Sequence, residues 1–292
     1  MKAGFVCLAG APNVGKSSIV NAYLGKKISI VSEKPQTTRN RINAILNLPD
    51  AQVVFVDTPG IHKPVHKLGN YLVKIAIKAL EGNDLLLFVV SAERFGEFDR
   101  IVAERIKASN TPFIGVINKM DRASKQNVEK AEELFKSMDR CLSIKHVSAI
   151  RNEGLDELLK NILDNLPESP AFYPPDMITD KPLRFMVAEI IREKIFALTH
   201  QELPYSTAVS VDYVEESPTL IKIWCTILVE RNSQKPILLG KGGKMIKKIG
   251  TLARKDIENL LDAHVFLSLH VKVKEKWTEN DRNLNELFKD EL

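Results

Sequence analysis

At 292 residues the chain is long for one compact core and comfortable for two domains. With 44% hydrophobic and 27% charged residues it has a globular balance, which excludes a disordered or fibrous chain. The net charge of +5 is unevenly placed: Arg231 to Lys276 carries eleven Lys and Arg against four Asp and Glu, a net of +7, leaving the rest near −2. Such a concentration points to a polyanion such as nucleic acid, or to an anionic membrane surface.

No stretch approaches the 18 or so consecutive apolar residues of a spanning helix. The opening "MKAGFVCLAG" reads as a first buried strand and not as a signal peptide. Cys7, Cys141 and Cys225 are odd in number, far apart and within or beside apolar runs. They are expected as buried thiols in a reducing cytoplasm.

The first strand runs into "GAPNVGKS", which fits G-x-x-x-x-G-K-[ST]. Gly10 and Gly15 let the loop that they bracket, with Ala11, Pro12, Asn13 and Val14 between them, curl so that its N–H groups face phosphate oxygens. Lys16 reaches the β- and γ-phosphates, the Ser17 hydroxyl ligates Mg²⁺, and Ser18 continues into a helix whose N-terminus favours anions. The helix is expected over Lys16 to Gly25.

Next comes "KPQTTRNR", Lys34 to Arg41, a mobile segment in which one threonine closes over Mg²⁺. Thr38 is the first choice and Thr37 the second. The strand "VVFVDT" then ends in "DTPG", Asp57, Thr58, Pro59 and Gly60. Asp57 is placed to hold Mg²⁺ through water, and the Gly60 N–H to sense the γ-phosphate. Ile61 follows, expected beside the bound nucleotide, where many nucleotide switches carry a glutamine that orients water. Its side chain has no hydrogen-bonding group, so no side chain stands out as a base. Lys16, Asn13, Thr38 and Gly60 remain to support the transition state. An asparagine in the loop with an apolar residue after "DTPG" resembles potassium-activated enzymes, which makes Asn13 a candidate K⁺ ligand. His62 and His66 are expected to be solvated.

Helices are expected over Leu68 to Leu80, Asp99 to Ala108, Val128 to Met138 and Leu155 to Leu166, alternating with buried strands "LLLFVV", "FIGVIN" and "HVSAI". This alternation predicts a mostly parallel α/β sheet with helices on both faces. "NKMD" closes "FIGVIN". The Asp121 carboxylate accepts from guanine N1–H and the 2-amino group, donors that adenine lacks there. Asn118 braces the loops, the Lys119 stem covers the base, and Ser148, Ala149 and Ile150 offer a backbone N–H to guanine O6. All these motifs fall at the C-terminal ends of strands, where open α/β sheets bind ligands. The first half resembles the small GTP-binding proteins throughout.

The prolines of "LPESPAFYPPDMITDKP" break the alternation. The expected division is 1–168 for the nucleotide domain, 169–182 for a linker and 183–292 for a second domain. That domain opens with an amphipathic helix, with Leu183, Val187, Ile190, Ile191, Ile195 and Leu198 on one face. Strands follow near Ser206 to Val214 and Leu220 to Glu230, then a helix over Lys244 to Asp262 and a strand over Val265 to Lys274. A short helix before residue 240 would complete the order helix–strand–strand–helix–helix–strand.

"GKGGK", Gly240 to Lys244, lacks the hydroxyl ending of a triphosphate loop. It fits the G-x-x-G loop of a KH module, where Gly240, Lys241, Gly242 and Gly243 approach a single-stranded sugar–phosphate backbone. Lys244, Lys247 and Lys248 supply charge.

The ordered set "GAPNVGKS", "PQTTR", "DTPGIHKP", "NKMD", "SAI", "DMITDKP", "EIIREK", "GKGGKMIKKIG" and "WTENDRNL" resembles the Era family of bacterial GTPases over essentially the whole length. The resemblance implies an N-terminal GTPase domain and a C-terminal type II KH domain. It implies a monomer that binds near the 3′ end of 16S ribosomal RNA during small-subunit assembly. It also implies a cytoplasmic protein with peripheral inner-membrane association. The alternative is a GTPase whose basic second domain docks to a membrane or a protein.

Overall fold

A computed structural model describes residues 1–32, 34, 37–64 and 66–288. Pro35 and Gln36 of the expected mobile segment lie outside the described residues, as do 289–292 of the expected second domain. The chain folds as two compact units, Met1–Asp180 and Lys181–Leu287, with Phe288 belonging to the first.

The first unit is a six-stranded sheet flanked by helices. Its elements are β1 (Lys2–Gly10), α1 (Lys16–Leu24), β2 (Ile42–Leu48), β3 (Ala51–Asp57), α2 (Lys67–Lys78), β4 (Leu85–Ser91), α3 (Glu97–Ser109), β5 (Phe113–Asn118), α4 (Lys125–Lys136), β6 (Cys141–His146) and α5 (Leu155–Asn165). The strand order is β2-β3-β1-β4-β5-β6. Only β2 runs antiparallel, against β3. Every residue of β3 and β4 is buried, which is why these strands are nearly unbroken apolar runs. Phe88, Phe113 and Phe135 pack edge to face beneath the sheet, with centroids 5.0 to 6.2 Å apart.

Three sequence expectations change. The strand expected at "HVSAI" lies earlier, at Cys141–His146. β6 is an edge strand of half-exposed residues and so carries little apolar signal. Val147 and Ala149, which gave that stretch its apolar character, are buried in the turn that follows β6. The edge strand β2 was not anticipated, and Cys141 is half-exposed where a buried thiol was expected.

The proline-rich stretch is hydrogen-bonded along the β2–β3 edge. The buried Gln52 side chain accepts from the amides of Phe172 and Tyr173 and donates to the Tyr173 carbonyl, at 2.7, 3.0 and 2.8 Å. Ile45 N–H donates to Ile178 O at 2.9 Å, and Ala44 bridges Thr179. The Asn47 and Asn43 side chains donate to Met177 O and to the Asp180 carboxylate, at 3.0 and 2.7 Å. Phe5 and Phe172 meet edge on at 4.9 Å.

The second unit holds α6 (Leu183–Leu198), β7 (Ala208–Glu216), β8 (Ile221–Val229), α7 (Gln234–Leu239), α8 (Lys244–Leu261) and β9 (Val265–Val273). β7 is antiparallel and β9 parallel to the central β8. The short helix α7 supplies the helix that the sequence required before residue 240. Val187, Ile190, Ile191 and Ile195 are buried in the core, with Leu183 and Leu198 packed at its margin. α6 is buried well beyond that face. Glu189 and Arg192 are also inside, joined by bonds of 2.7 and 2.6 Å in the bidentate geometry that makes a buried pair tolerable.

Candidate functional site

The loop between β1 and α1, the ends of β3 and β5, and the turn after β6 surround one cavity of about 1290 Å³. Gly15, Lys16, Thr38, Gly60, Asn118 and Asp121 are among its lining residues. Parallel strand order sets this: each loop leaves the same sheet edge.

The loop 10–17 is held by contacts that leave no room for other side chains. Gly15 has φ of +96°, and a Cβ there would lie 2.2 Å from Asn118 Nδ2. Asn118 donates to Val14 O at 3.0 Å and accepts from Ala149 N–H at 3.1 Å. One amide therefore ties the phosphate loop, the β5 end and the 148–150 turn. A Cβ on Gly60 would lie 2.5 Å from Pro12 N, so "DTPG" rests directly on the phosphate loop. Thr58 Oγ1 donates to Leu8 O at 2.9 Å and fixes the end of β3 against β1.

Lys16 is buried, and its ammonium donates to the carbonyls of Gly10 and Ala11 at 3.1 and 3.0 Å. Burial pushes its pKa down to about 8, with Asp57 acting in the opposite sense. A nearby anion would offset that loss of hydration. Asn13, in the same loop with φ of +63°, also lines the cavity. Ser18 lines it too.

Three oxygens converge at the cavity floor. Ser17 Oγ donates to Asp57 Oδ2 at 2.6 Å, and Thr38 Oγ1 lies 3.0 Å from Ser17 Oγ. Thr37 turns elsewhere, donating to Lys34 O at 2.6 Å. Asp57 is fully buried, and burial raises its carboxyl above the usual range against the Ser17 hydrogen bond. Its second oxygen, Oδ1, has no hydrogen-bond partner among the described residues. Two hydroxyls and a carboxylate with an orphaned oxygen are a hard donor set that fits Mg²⁺.

At the base end, Ser148 Oγ donates to Asp121 Oδ1 at 2.6 Å. That hydrogen bond, chiefly, lowers the Asp121 pKa and keeps the carboxylate an acceptor. Lys119, at φ of +63°, reaches Glu93 at 3.2 Å. Glu93 lines the cavity and was not anticipated, since a lone acid in the β4–α3 loop carries no motif. Ile150 is 78% exposed at the cavity rim.

Ile61 does not face the cavity. Its side chain is 1% exposed in the sheet core, and its N–H donates to Gly10 O at 3.1 Å. His62 departs from the solvated expectation: its half-buried ring sits with Nδ1 2.9 Å from Gly60 O. His66 is exposed, just ahead of α2.

The second loop is built differently. Gly240 is packed, since a Cβ there would lie 2.7 Å from Met245 Cβ. Gly242 and Gly243 have φ of +60° and +75°, and a Cβ on either would meet nothing within 4 Å. The protein itself leaves that space open. Gly243 precedes the 18-residue helix α8, so free N–H groups point out of the loop. Lys241, Lys244, Lys247 and Lys248 are all exposed around it.

Fold and site together define a P-loop GTPase joined to a type II KH domain. The model of the 50S ribosome-binding GTPase family matches residues 5–119, and the KH domain model matches 202–278. The chain belongs to the Era family of GTPases: it is 54% identical to GTPase Era of Thermotoga maritima over 284 residues, 96% of this chain and 95% of that one. It is 45% identical to GTPase Era of Clostridium kluyveri across 98% and 99% of the two chains. A crystal structure of a variant of Aquifex aeolicus Era bound to GDP.AlF4- matches with TM-score 0.93 at 41% identity, covering 98% of this chain and 99% of that one. A structure of Era with MgGDPNP and nucleotides 1506–1542 of 16S ribosomal RNA matches equally well, with TM-score 0.93 at 41% identity over 98% of both chains.

The base end yields a direct test. Asp121→Asn replaces an acceptor with a donor, so GTP binding should weaken roughly 10- to 100-fold while xanthosine triphosphate, with a carbonyl at C2, binds better. Unchanged preference for GTP in a competition titration would remove Asp121 from base recognition.

Proposed function

We propose that this chain is a GTP-driven switch that binds ribosomal RNA near the 3′ end of 16S rRNA and acts in small-subunit assembly. The observation that carries it is the pairing, in one chain, of a guanine site with an open GKGGK loop. An Era structure at 41% identity holds MgGDPNP and 16S nucleotides 1506–1542 together.

In the reading we adopt, residues 10–18 bind the phosphates and Lys16 pairs with the β- and γ-oxygens. Asn118, Lys119, Asp121 and the turn at Ser148, Ala149 and Ile150 hold guanine. Ser17 and Thr38 bind Mg²⁺ directly, and Asp57 holds it through water. Mg²⁺ neutralises charge on the phosphate oxygens. The orientation of Thr38 toward Ser17, and of Thr37 away from it, favours Thr38. Gly60 brings its N–H to the γ-phosphate. Ile61 is committed to the core, so water attacks in line without a side-chain base.

Asn13 is the loop residue we assign to a K⁺ that supports transition-state charge. Replacing K⁺ by Na⁺ should slow turnover roughly 10- to 100-fold, and Asn13→Ala should erase the difference. Equal rates in both salts for the unmodified protein remove K⁺ from the scheme.

Gly242, Gly243 and the surrounding lysines receive the RNA backbone. No described helix is long and apolar enough to cross a membrane. The reading includes a monomer in the cytoplasm whose basic second unit contacts the inner membrane peripherally. Crosslinking and sequencing of RNA bound in cells should pile reads at the 16S 3′ end. Gly243→Asp should abolish them while leaving GTP binding nearly intact. Reads spread without preference, with membrane or protein binding retained, would favour the docking alternative.

A further inference from the structure

The helices of the second unit pack against one face of β7–β8–β9, burying Ile223, Cys225, Ile227, Val265 and Val271. The opposite face carries three aromatic rings in a row across the strands. Tyr213 and Trp224 are register partners with centroids 5.3 Å apart, and Trp224 lies 6.2 Å from Phe266. Tyr213 is 55% and Phe266 50% exposed.

A backbone irregularity makes this row. The β7–β8 register shifts between Val211 and Tyr213. Without the extra residue, Asp212 would oppose Trp224 and Tyr213 would turn toward the core. The bulge re-aims Tyr213 onto the open face. Exposed aromatics gathered by such a device call for a ligand.

The rest of the face says which ligand. Ser210, Thr226, Ser268 and His270 occupy neighbouring register positions. Ser268 pairs with Trp224, and Ser210, Thr226 and His270 form the next rung beside the rings, where a protein-binding patch would carry aliphatic side chains. The acidic groups are engaged within the sheet: Asp212 with Thr226 at 2.7 Å and Ser210 at 3.2 Å, and Glu215 with Lys222 at 2.9 Å. Lys272 is exposed farther along β9, within the +7 segment. Flat rings, hydrogen-bonding groups and residual positive charge match unpaired bases on a phosphate backbone.

We propose that this face is a second RNA contact, on which Tyr213, Trp224 and Phe266 stack bases of a single strand longer than the GKGGK loop accommodates. It rests on the RNA-binding reading above and adds a surface to it. The test uses the full chain, labelled RNA of 16S nucleotides 1506–1542, and a short fragment trimmed to the segment that fills the GKGGK loop. Tyr213→Ala and Phe266→Ala should each weaken the long RNA roughly 5- to 100-fold and leave the fragment unchanged. Tyr213→Phe and Phe266→Tyr should restore binding, because the rings remain. Trp224 emission should be quenched by the long RNA alone, since Trp277 is fully buried. Long-RNA affinity unchanged in the alanine variants overturns the proposal. So does equal weakening of both RNAs, or loss of self-association in Phe266→Ala, which would make the face a contact between copies. Failure of the unmodified protein to bind either RNA would overturn the underlying reading as well.

Discussion

Asp57 is a carboxylate placed where a charge is least welcome, and the nucleotide site is organised around it. Full burial raises its pKa, and the Ser17 hydroxyl answers one of its oxygens at 2.6 Å. The other oxygen is left orphaned among the described residues. Such a group is costly to desolvate unless a cation or further donors arrive. The parallel pairing of β1 and β3 sets Asp57 beside the phosphate loop, and Thr38 completes the cluster from the segment ahead of β2. Three oxygens from three separate segments thus meet at one point. Whatever neutralises them also fixes where those segments lie.

That convergence reaches beyond the nucleotide. Three residues separate Thr38 from β2, and β2 is the edge strand to which residues 173–180 are fastened. The fastenings are directional: Asn43, Ile45 and Asn47 each donate to the strap, while Gln52 both donates and accepts. The strap ends three residues before α6, the first helix of the second unit. A shift of Thr38 toward a metal is therefore connected, through one edge strand and its hydrogen bonds, to the segment that leads into the KH domain. The proposed coupling of the two sites would run along this connection.

Much of the first unit was legible because its loops carry chemistry in short runs. "GAPNVGKS", "DTPG", "NKMD" and "SAI" each combine a glycine or turn residue with a group of defined role, and each falls at a strand end. The edges were harder to read. β2, "INAILNL", alternates polar and apolar residues weakly because its asparagines serve the strap, a bond made 130 or more residues away. β6 is too exposed to advertise itself. The sequence ranks Thr38 over Thr37 without showing why, since their side chains point in different directions only once the backbone is set. The aromatic row was hidden for a similar reason: Tyr213, Trp224 and Phe266 become neighbours through a bulge and a parallel pairing that no local pattern announces.

The two glycine–lysine loops illustrate the same distinction. One is closed in by its own fold, with Gly15 against Asn118 and Gly60 against Pro12. The other leaves Gly242 and Gly243 facing open space. In the function proposed above, the first grips a compact triphosphate and the second receives a strand that passes by. The central claim is that the first governs the second through Thr38. It is tested most directly by measuring affinity for the 16S 3′ RNA with a non-hydrolysable GTP analogue and with GDP bound. The account predicts binding about tenfold tighter with the analogue, a difference lost in Thr38→Ala and kept in Thr37→Ala. Equal affinities in the two nucleotide states of the unmodified protein would contradict it.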